Sequence, residues 1–154
     1  MDYRGALDRT ERVVIGGCGR TGSALAAALA ASTRVVQVLD VSPSAFDHLP
    51  TSAVRQGRIV PRIADITLEA DLRAVGAQDA NVFVAVAGSD VVNVMASQIA
   101  LHMFRIGKVI CSLDDPVKRD LYSTLDLTVI SPTQPLADLA LRHIHGKNQP
   151  PPAD

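Results

Sequence analysis

The chain has 154 residues, 47% of them apolar and 20% charged, with a formal net charge of −1; that supplies one hydrophobic core and too little for a second large one. Aromatics make up 3% and there is no Trp, so the core must come from Ala, Val, Leu and Ile, which argues against a base-stacking platform for single-stranded nucleic acid. No Lys/Arg run stands out to draw nucleic acid or an anionic membrane, no apolar stretch reaches about 18 residues, and Cys18 and Cys111 make neither a disulfide framework nor a zinc pattern.

Residues 1–10 are polar, lack the apolar segment of a signal peptide and read as an arm. A reduced, cytoplasmic protein is the expectation. Arg12 to Gly16 is a short apolar run ending in Gly, a buried strand. Thr21 to Ala31 is rich in Ala and Leu and predicts a helix. Arg34 to Asp40 is a second strand ending in an acid. Ser42-Pro43 opens a short helix, with Pro where a missing N–H costs least. Arg58 to Ile63 reads as a third strand, and Pro61 within it demands a sheet edge or a bulge.

The alternation continues with a helix over Thr67–Val75 and a fourth strand over Asn81–Val86. A long helix over Ser89–Arg105 follows, capped by Ser89 or Asp90. Lys108–Leu113 is strand five, Pro116–Tyr122 a short helix, and Leu127–Ile130 strand six. Thr133–His145 is the last helix, with Gly146 just past its end. Residues 146–154 form a Pro-rich tail.

Strands and helices alternating this regularly predict right-handed βαβ crossovers. The expected fold is α/β, a Rossmann doubly wound, six-stranded parallel sheet of order 3-2-1-4-5-6 with helices on both faces. In that order the third strand is an edge, which suits Pro61. Residues 11–145 then make one nucleotide-binding domain, and six strands leave nothing over for a substrate domain.

The glycines Gly17-x-Gly19-x-x-Gly22 follow a strand, open a helix and precede an acid about 20 residues on, the context a dinucleotide-binding loop requires. Gly17 permits a tight turn, Gly19 lets the backbone approach a pyrophosphate, and Gly22 lets helix and strand pack. The pyrophosphate would sit on free N–H groups at the positive end of the helix. Asp40 can accept from both ribose hydroxyls and would repel a 2′-phosphate, which disfavours NADP.

Other positions carry two readings each. Arg20 can grip phosphate oxygens or be a solvated first-turn residue. Asp65 can accept from an adenine amino group or act as an N-cap-like residue before the helix at Thr67. Ala87-Gly88-Ser89 offers N–H groups and a hydroxyl at the carboxyl edge of the sheet. Asn93 and Ser97 share a helix stripe with Asp90 that is either functional or merely solvated. Cys18 sits where a helix N-terminus would stabilise a thiolate, so a redox sensor stands beside a small neutral loop residue. Cys111 reads as a buried strand residue and His102 as a helix-face residue. His143 and His145 complement a helix C-terminus rather than bind metal, and no metal site is expected. Met95 and Met103 read as packing. The helix after Ser89 is apolar on several faces; one packs on the sheet and another would meet a second subunit.

Together these residues resemble the N-terminal domain of regulator-of-potassium-conductance (RCK) proteins, the TrkA-N or KTN family. The resemblance covers roughly residues 11 to 142. It rests on Val14-Ile-Gly-Gly-Cys-Gly-Arg-Thr-Gly22, Val38-Leu-Asp40, Ala64-Asp65-Ile66-Thr67, Val86-Ala-Gly-Ser-Asp-x-x-Asn93, Leu113-Asp-Asp-Pro116 and Val129-Ile-Ser-Pro132. It implies a non-catalytic, nucleotide-sensing regulatory domain for NAD(H), ATP/ADP or AMP, forming homodimers or rings and docking on an integral-membrane potassium channel or transporter subunit at the inner face of the membrane. Asp40 is then assigned to ribose, Asp65 to the adenine end, and Arg20 to phosphate, across a dimer or within the chain. The binding set becomes Gly17, Cys18, Gly19, Arg20 and Thr21 on the loop, Asp40 and Val41 after strand two, Ala64, Asp65 and Ile66 after strand three, and Ala87, Gly88 and Ser89 after strand four.

Three departures stand out. Ala64 replaces the family's usual Gly, Ser112 stands where an Arg is common, and the usual C-terminal ligand domain has no counterpart after residue 146. The chain reads either as a piece ending at a linker or as a single-domain member. The competing class is a small NAD-dependent oxidoreductase, which needs a general acid or base beside the nicotinamide. No Tyr-x-x-x-Lys pair is present, since Tyr122 is followed four residues later by Asp126.

Overall fold

A computed structural model describes residues 11–32, 35–122 and 127–145. The expected arm at 1–10, Gly146 and the tail to 154 lie outside the described residues. Six parallel strands form one sheet in the order β3-β2-β1-β4-β5-β6. They are β1 (Arg12–Gly16), β2 (Val35–Asp40), β3 (Ile59–Ile63), β4 (Val82–Ala85), β5 (Lys108–Ser112) and β6 (Thr128–Ile130). The helices are α1 (Arg20–Leu29), α2 (Thr51–Arg55), α3 (Glu69–Ala74), α4 (Asp90–Gln98), α5 (Pro116–Tyr122) and α6 (Thr133–Ile144). This is the expected doubly wound Rossmann architecture.

The inner strands are Val- and Ile-rich because both faces are covered, the condition under which parallel sheets persist. On one face Val14, Leu39, Phe83, Val109 and Cys111 pack with Leu72 of α3 and with Ala96 and Ala100. On the other, Val13, Ile15, Val36, Val38, Ile59 and Val84 pack with Ala26 of α1 and Ala53 of α2. β3 is an edge strand, paired with β2 at Val38–Pro61. A residue without an N–H is tolerated there.

Four local expectations need correction. The segment after Ser42 is a 3-10 turn over Pro43–His48 followed by a separate α2. The third helix begins at Glu69, with Leu68 as its N-cap, so Asp65 does not cap it. The long helix is not one regular element: α4 stops at Gln98 and a π turn covers Ile99–Met103, with Phe104 N–H donating to Ile99 O at 3.1 Å. Arg105 then takes φ 55°, reversing the chain into Gly107 and β5. Ser89 is the N-cap of α4 by position, but its side chain makes no capping hydrogen bond.

Burial corrects two more. Asn93 and Ser97 are 2% and 0% exposed, so their stripe is not a solvated face. Met95 and Met103 are 47% and 54% exposed and are not core packing. Cys111 is buried and His102 is exposed on its turn, as expected.

Candidate functional site

The carboxyl ends of β1, β2, β3 and β4 open onto a cavity of about 450 Å³, within the range of small-molecule sites. Its wall includes Gly17 and Gly19 from the loop after β1, Leu39, Asp40 and Val41 from the end of β2, and Ala64, Asp65, Ile66 and Thr67 from the turn after β3. Ala87, Gly88, Ser89 and Val92 close the remaining side. Most of the wall is apolar, with the Asp40 and Asp65 carboxylates set into it.

The loop glycines have distinct physical roles. Gly17 has φ +104°, and a Cβ there would lie 2.7 Å from Ala87 N. A Cβ on Gly22 would lie 1.9 Å from Gly17 O, so a side chain would push α1 off the loop. Gly19 is different: a Cβ there would meet nothing within 4 Å. That open space lies at the N-cap of α1, which has no side-chain cap. The Gly19, Arg20 and Thr21 N–H groups donate to nothing among the described residues. Unsatisfied donors at a helix start, with the positive end of the helix behind them, make a seat for an anion.

Asp40 is held in place. Its Oδ2 accepts the Cys18 N–H at 2.8 Å and its Oδ1 accepts the Ser42 N–H at 2.9 Å. Each oxygen keeps a second lone pair for a ligand hydroxyl. Asp65 makes a turn of its own: Oδ1 accepts the Thr67 N–H at 2.9 Å and the Thr67 hydroxyl at 2.6 Å. Those two bonds hold the Asp65 carboxyl below its usual pKa, and Oδ2 makes no hydrogen bond among the described residues.

Of the two readings of Cys18, the thiolate one fails. Cys18 is fully buried, and its thiol is pushed up to about 11, first by loss of water and then by the Asp40 charge. The helix N-terminus therefore does not produce a thiolate, and the small neutral loop residue is the reading that fits. Cys18 reaches the site only through its backbone N–H. Arg20 and Thr21 are exposed on the first turn of α1 and do not line the cavity.

Three wall residues were absent from the candidate set: Leu39, Thr67 and Val92. Thr67 could have been found, because an Asp with Thr two residues on is the pattern of an Asx turn. Leu39 and Val92 carry no chemical signal and show only in three dimensions.

Beside the cavity, the Asp90 carboxylate accepts the Asp114 and Asp115 N–H groups at 2.9 and 3.3 Å, with Lys118 Nζ at 3.6 Å. The Asp114 N–H is the leading cause that keeps the Asp90 carboxyl below its usual pKa. Among the described residues no cluster of three His, Cys, Asp or Glu could hold a metal ion, and no helix is long and apolar enough to cross a membrane.

An open parallel sheet of this order, with a ligand-sized cleft at the carboxyl ends of its strands beside a glycine-rich loop, defines a Rossmann-type domain. Comparison with known proteins narrows the class. The TrkA-N domain family matches residues 13–132, and the chain belongs to that family. The Trk system potassium uptake protein TrkA of Streptomyces coelicolor is 35% identical over 133 residues, which are 86% of this chain and 57% of that protein. The chain thus spans little more than half the length of that relative.

Solved structures share the fold. The GsuK RCK domain superposes with a TM-score of 0.75 at 21% identity, covering 94% of this chain and 30% of that one. The Kef C-terminal domain of Shewanella denitrificans, in an AMP-bound form, gives 0.72 at 21% identity over 90% of this chain and 83% of that one. The TrkA-N domain of the inner membrane protein ybaL from Escherichia coli gives 0.73 at 15% identity, over 90% and 99%.

Proposed function

We propose that this domain is a non-catalytic nucleotide sensor of a potassium transport system, binding NAD(H), ATP/ADP or AMP in the cavity at the carboxyl ends of β1–β4. The observation that carries the reading is the pairing of an open, uncapped α1 N-terminus with a fixed Asp40 carboxylate on the same wall. Phosphate suits the first and ribose hydroxyls suit the second. Asp65, Ala64, Ile66 and Val41 would face the base, and Gly88 and Ser89 the far side of the ligand. Arg20 and Thr21 would act through the loop backbone and Cys18 by holding Asp40 with its N–H, with the Arg20 guanidinium reaching phosphate from the rim. A TrkA relative and an AMP-bound structural neighbour support this choice of ligand and setting.

The proposed output is mechanical. Val91 and Met95 of α4 are 62% and 47% exposed, an apolar face suited to a second copy of the domain. Nucleotide would favour one dimer or ring geometry over another, and a membrane-embedded potassium channel or transporter subunit at the cytoplasmic face would feel the difference. Among the described residues the cavity wall carries no Tyr, Lys or His, the groups a hydride-transfer site uses as general acid or base; this favours sensing over an oxidoreductase. Titration calorimetry with NAD, NADH, ATP, ADP and AMP tests the reading. Saturable binding of at least one is expected, and no binding by any of them at millimolar concentration would refute it.

A further inference from the structure

Asn93 is a polar residue on α4 that points into the protein. Its side chain is 2% exposed and does not line the cavity. All three of its hydrogen bonds among the described residues go to backbone. Oδ1 accepts the Ala87 N–H at 2.7 Å, and Nδ2 donates to Ala87 O at 2.9 Å and to Ser112 O at 3.0 Å. One carboxamide therefore satisfies both peptide groups of Ala87 and ties them to the end of β5. Ala87 is also where the loop after β4 meets the loop after β1, since its N and Cα sit where a Cβ on Gly17 would have to go.

We infer that Asn93 is the positioning residue of the Ala87–Ser89 wall. This rests on the nucleotide reading for its functional consequence and on the hydrogen bonds for its physical one. With Ala87 N–H and O both engaged by Asn93, the loop is left with Gly88 and Ser89 to face a ligand, and their N–H groups donate to nothing among the described residues. Asn93 thus decides which backbone donors reach the cavity. The bond to Ser112 goes to its carbonyl, so it is indifferent to the side chain at that position. Only an amide of this length offers one acceptor and two donors in this arrangement. An Asp in its place would set a carboxylate against two carbonyl oxygens, and a Leu would leave all three backbone groups without a partner.

Gln37 provides the control. It is also a buried amide, 3% exposed, but it serves Val75 O at 2.9 Å and the Arg12 guanidinium, away from the cavity. The experiment compares Asn93→Leu, Asn93→Asp and Gln37→Met with the wild type. Nucleotide affinity is measured at a temperature where each is folded, and amide hydrogen exchange is followed without ligand. In the wild type, Ala87 N–H should exchange slowly and Gly88 and Ser89 N–H quickly. Asn93→Leu should free the Ala87 amide, while Asn93→Asp keeps an acceptor for it but sets a carboxylate against the Ala87 and Ser112 carbonyls; both should weaken nucleotide binding by about tenfold or more, the loss expected when buried backbone groups lose their partners. Gln37→Met should melt earlier yet bind within about twofold of wild type.

Wild-type-like affinity in the Asn93 variants would overturn the inference, and so would an equal affinity loss in Gln37→Met. Should neither Asn93 variant fold, the wild-type exchange pattern decides: an Ala87 amide as labile as Gly88 overturns it. Should the wild type bind no nucleotide, the functional reading falls, and the exchange data alone judge whether Asn93 holds the wall.

Discussion

The Cys18 backbone N–H donates to Asp40 Oδ2 at 2.8 Å, so the glycine-rich loop and the acid at the end of β2 are one mechanical unit. The Gly17 N–H adds a second tie, donating to Leu39 O at 2.8 Å. A ligand that bonds Asp40 therefore meets a carboxylate already oriented by the loop that would hold its phosphate. Pre-organisation of this kind raises affinity by removing an ordering cost.

Asp40→Asn tests that unit. The amide keeps one acceptor for a backbone N–H but cannot accept on both sides while facing ribose hydroxyls. Adenine nucleotide affinity should fall by about tenfold to hundredfold, ~1.4–2.8 kcal/mol, with a smaller loss in unfolding free energy of about 1 kcal/mol. Calorimetry and urea unfolding on the same preparation separate the two. Unchanged affinity would remove Asp40 from the site.

The loop glycines should separate fold from ligand. Gly22→Ala forces a Cβ to within 1.9 Å of Gly17 O; such overpacking costs about 1–3 kcal/mol or more, visible as a lower denaturation midpoint. Gly19→Ala meets nothing within 4 Å, and its backbone, with φ −75° and ψ −161°, accepts any residue. It should fold like the wild type and lose nucleotide binding because the methyl group fills the phosphate seat. A Gly19→Ala protein that binds normally would move the phosphate elsewhere.

Most of the fold was legible in the sequence, and the reasons differ by element. The strand order came from the regular alternation of strands and helices, and Pro61 supported it because a missing N–H has few homes in a sheet away from an edge. The Gly17–Gly22 spacing and Asp40 identified the cavity because steric room and charge are properties of single residues. The π turn at Ile99–Met103 was not legible, since no Gly or Pro marks it before Gly107. Nor was the direction of Asn93. A helical period places Asp90, Asn93 and Ser97 on one stripe, but only the positions of Ala87 and Ser112 in space decide that an amide there is buried and satisfied.

Cys18 carries a prediction about pH. Its thiol pKa is raised to about 11, above the ordinary value of 9.0, by burial first and Asp40 second. A group whose folded pKa is raised stabilises the fold fully below its unfolded pKa and loses that contribution as pH climbs through the folded one. Stability should therefore decline between about pH 9 and 11, and Cys18→Ala should flatten that decline. At neutral pH a thiol reagent should modify Cys18 only as fast as the protein opens. Rapid alkylation of the native protein at pH 7 would restore the thiolate reading.

Arg20 is the sharpest test of how the phosphate end is completed. Its side chain is exposed at the first turn of α1, outside the cavity wall, and the adjacent N–H groups are open. An exposed first-turn cation gains nothing from the positive end of a helix, so its position has no stability rationale. Arg20→Ala should change unfolding free energy by less than about 0.5 kcal/mol. If the guanidinium reaches a bound phosphate, in its own chain or across a dimer, the same variant should weaken nucleotide binding by about tenfold. Repeating the titration across protein concentrations that span dimer formation distinguishes the routes: a loss confined to the dimer assigns Arg20 to the partner's ligand, and a loss at all concentrations assigns it to its own. Unchanged affinity throughout would leave Arg20 a solvated side chain and the phosphate to the loop backbone alone.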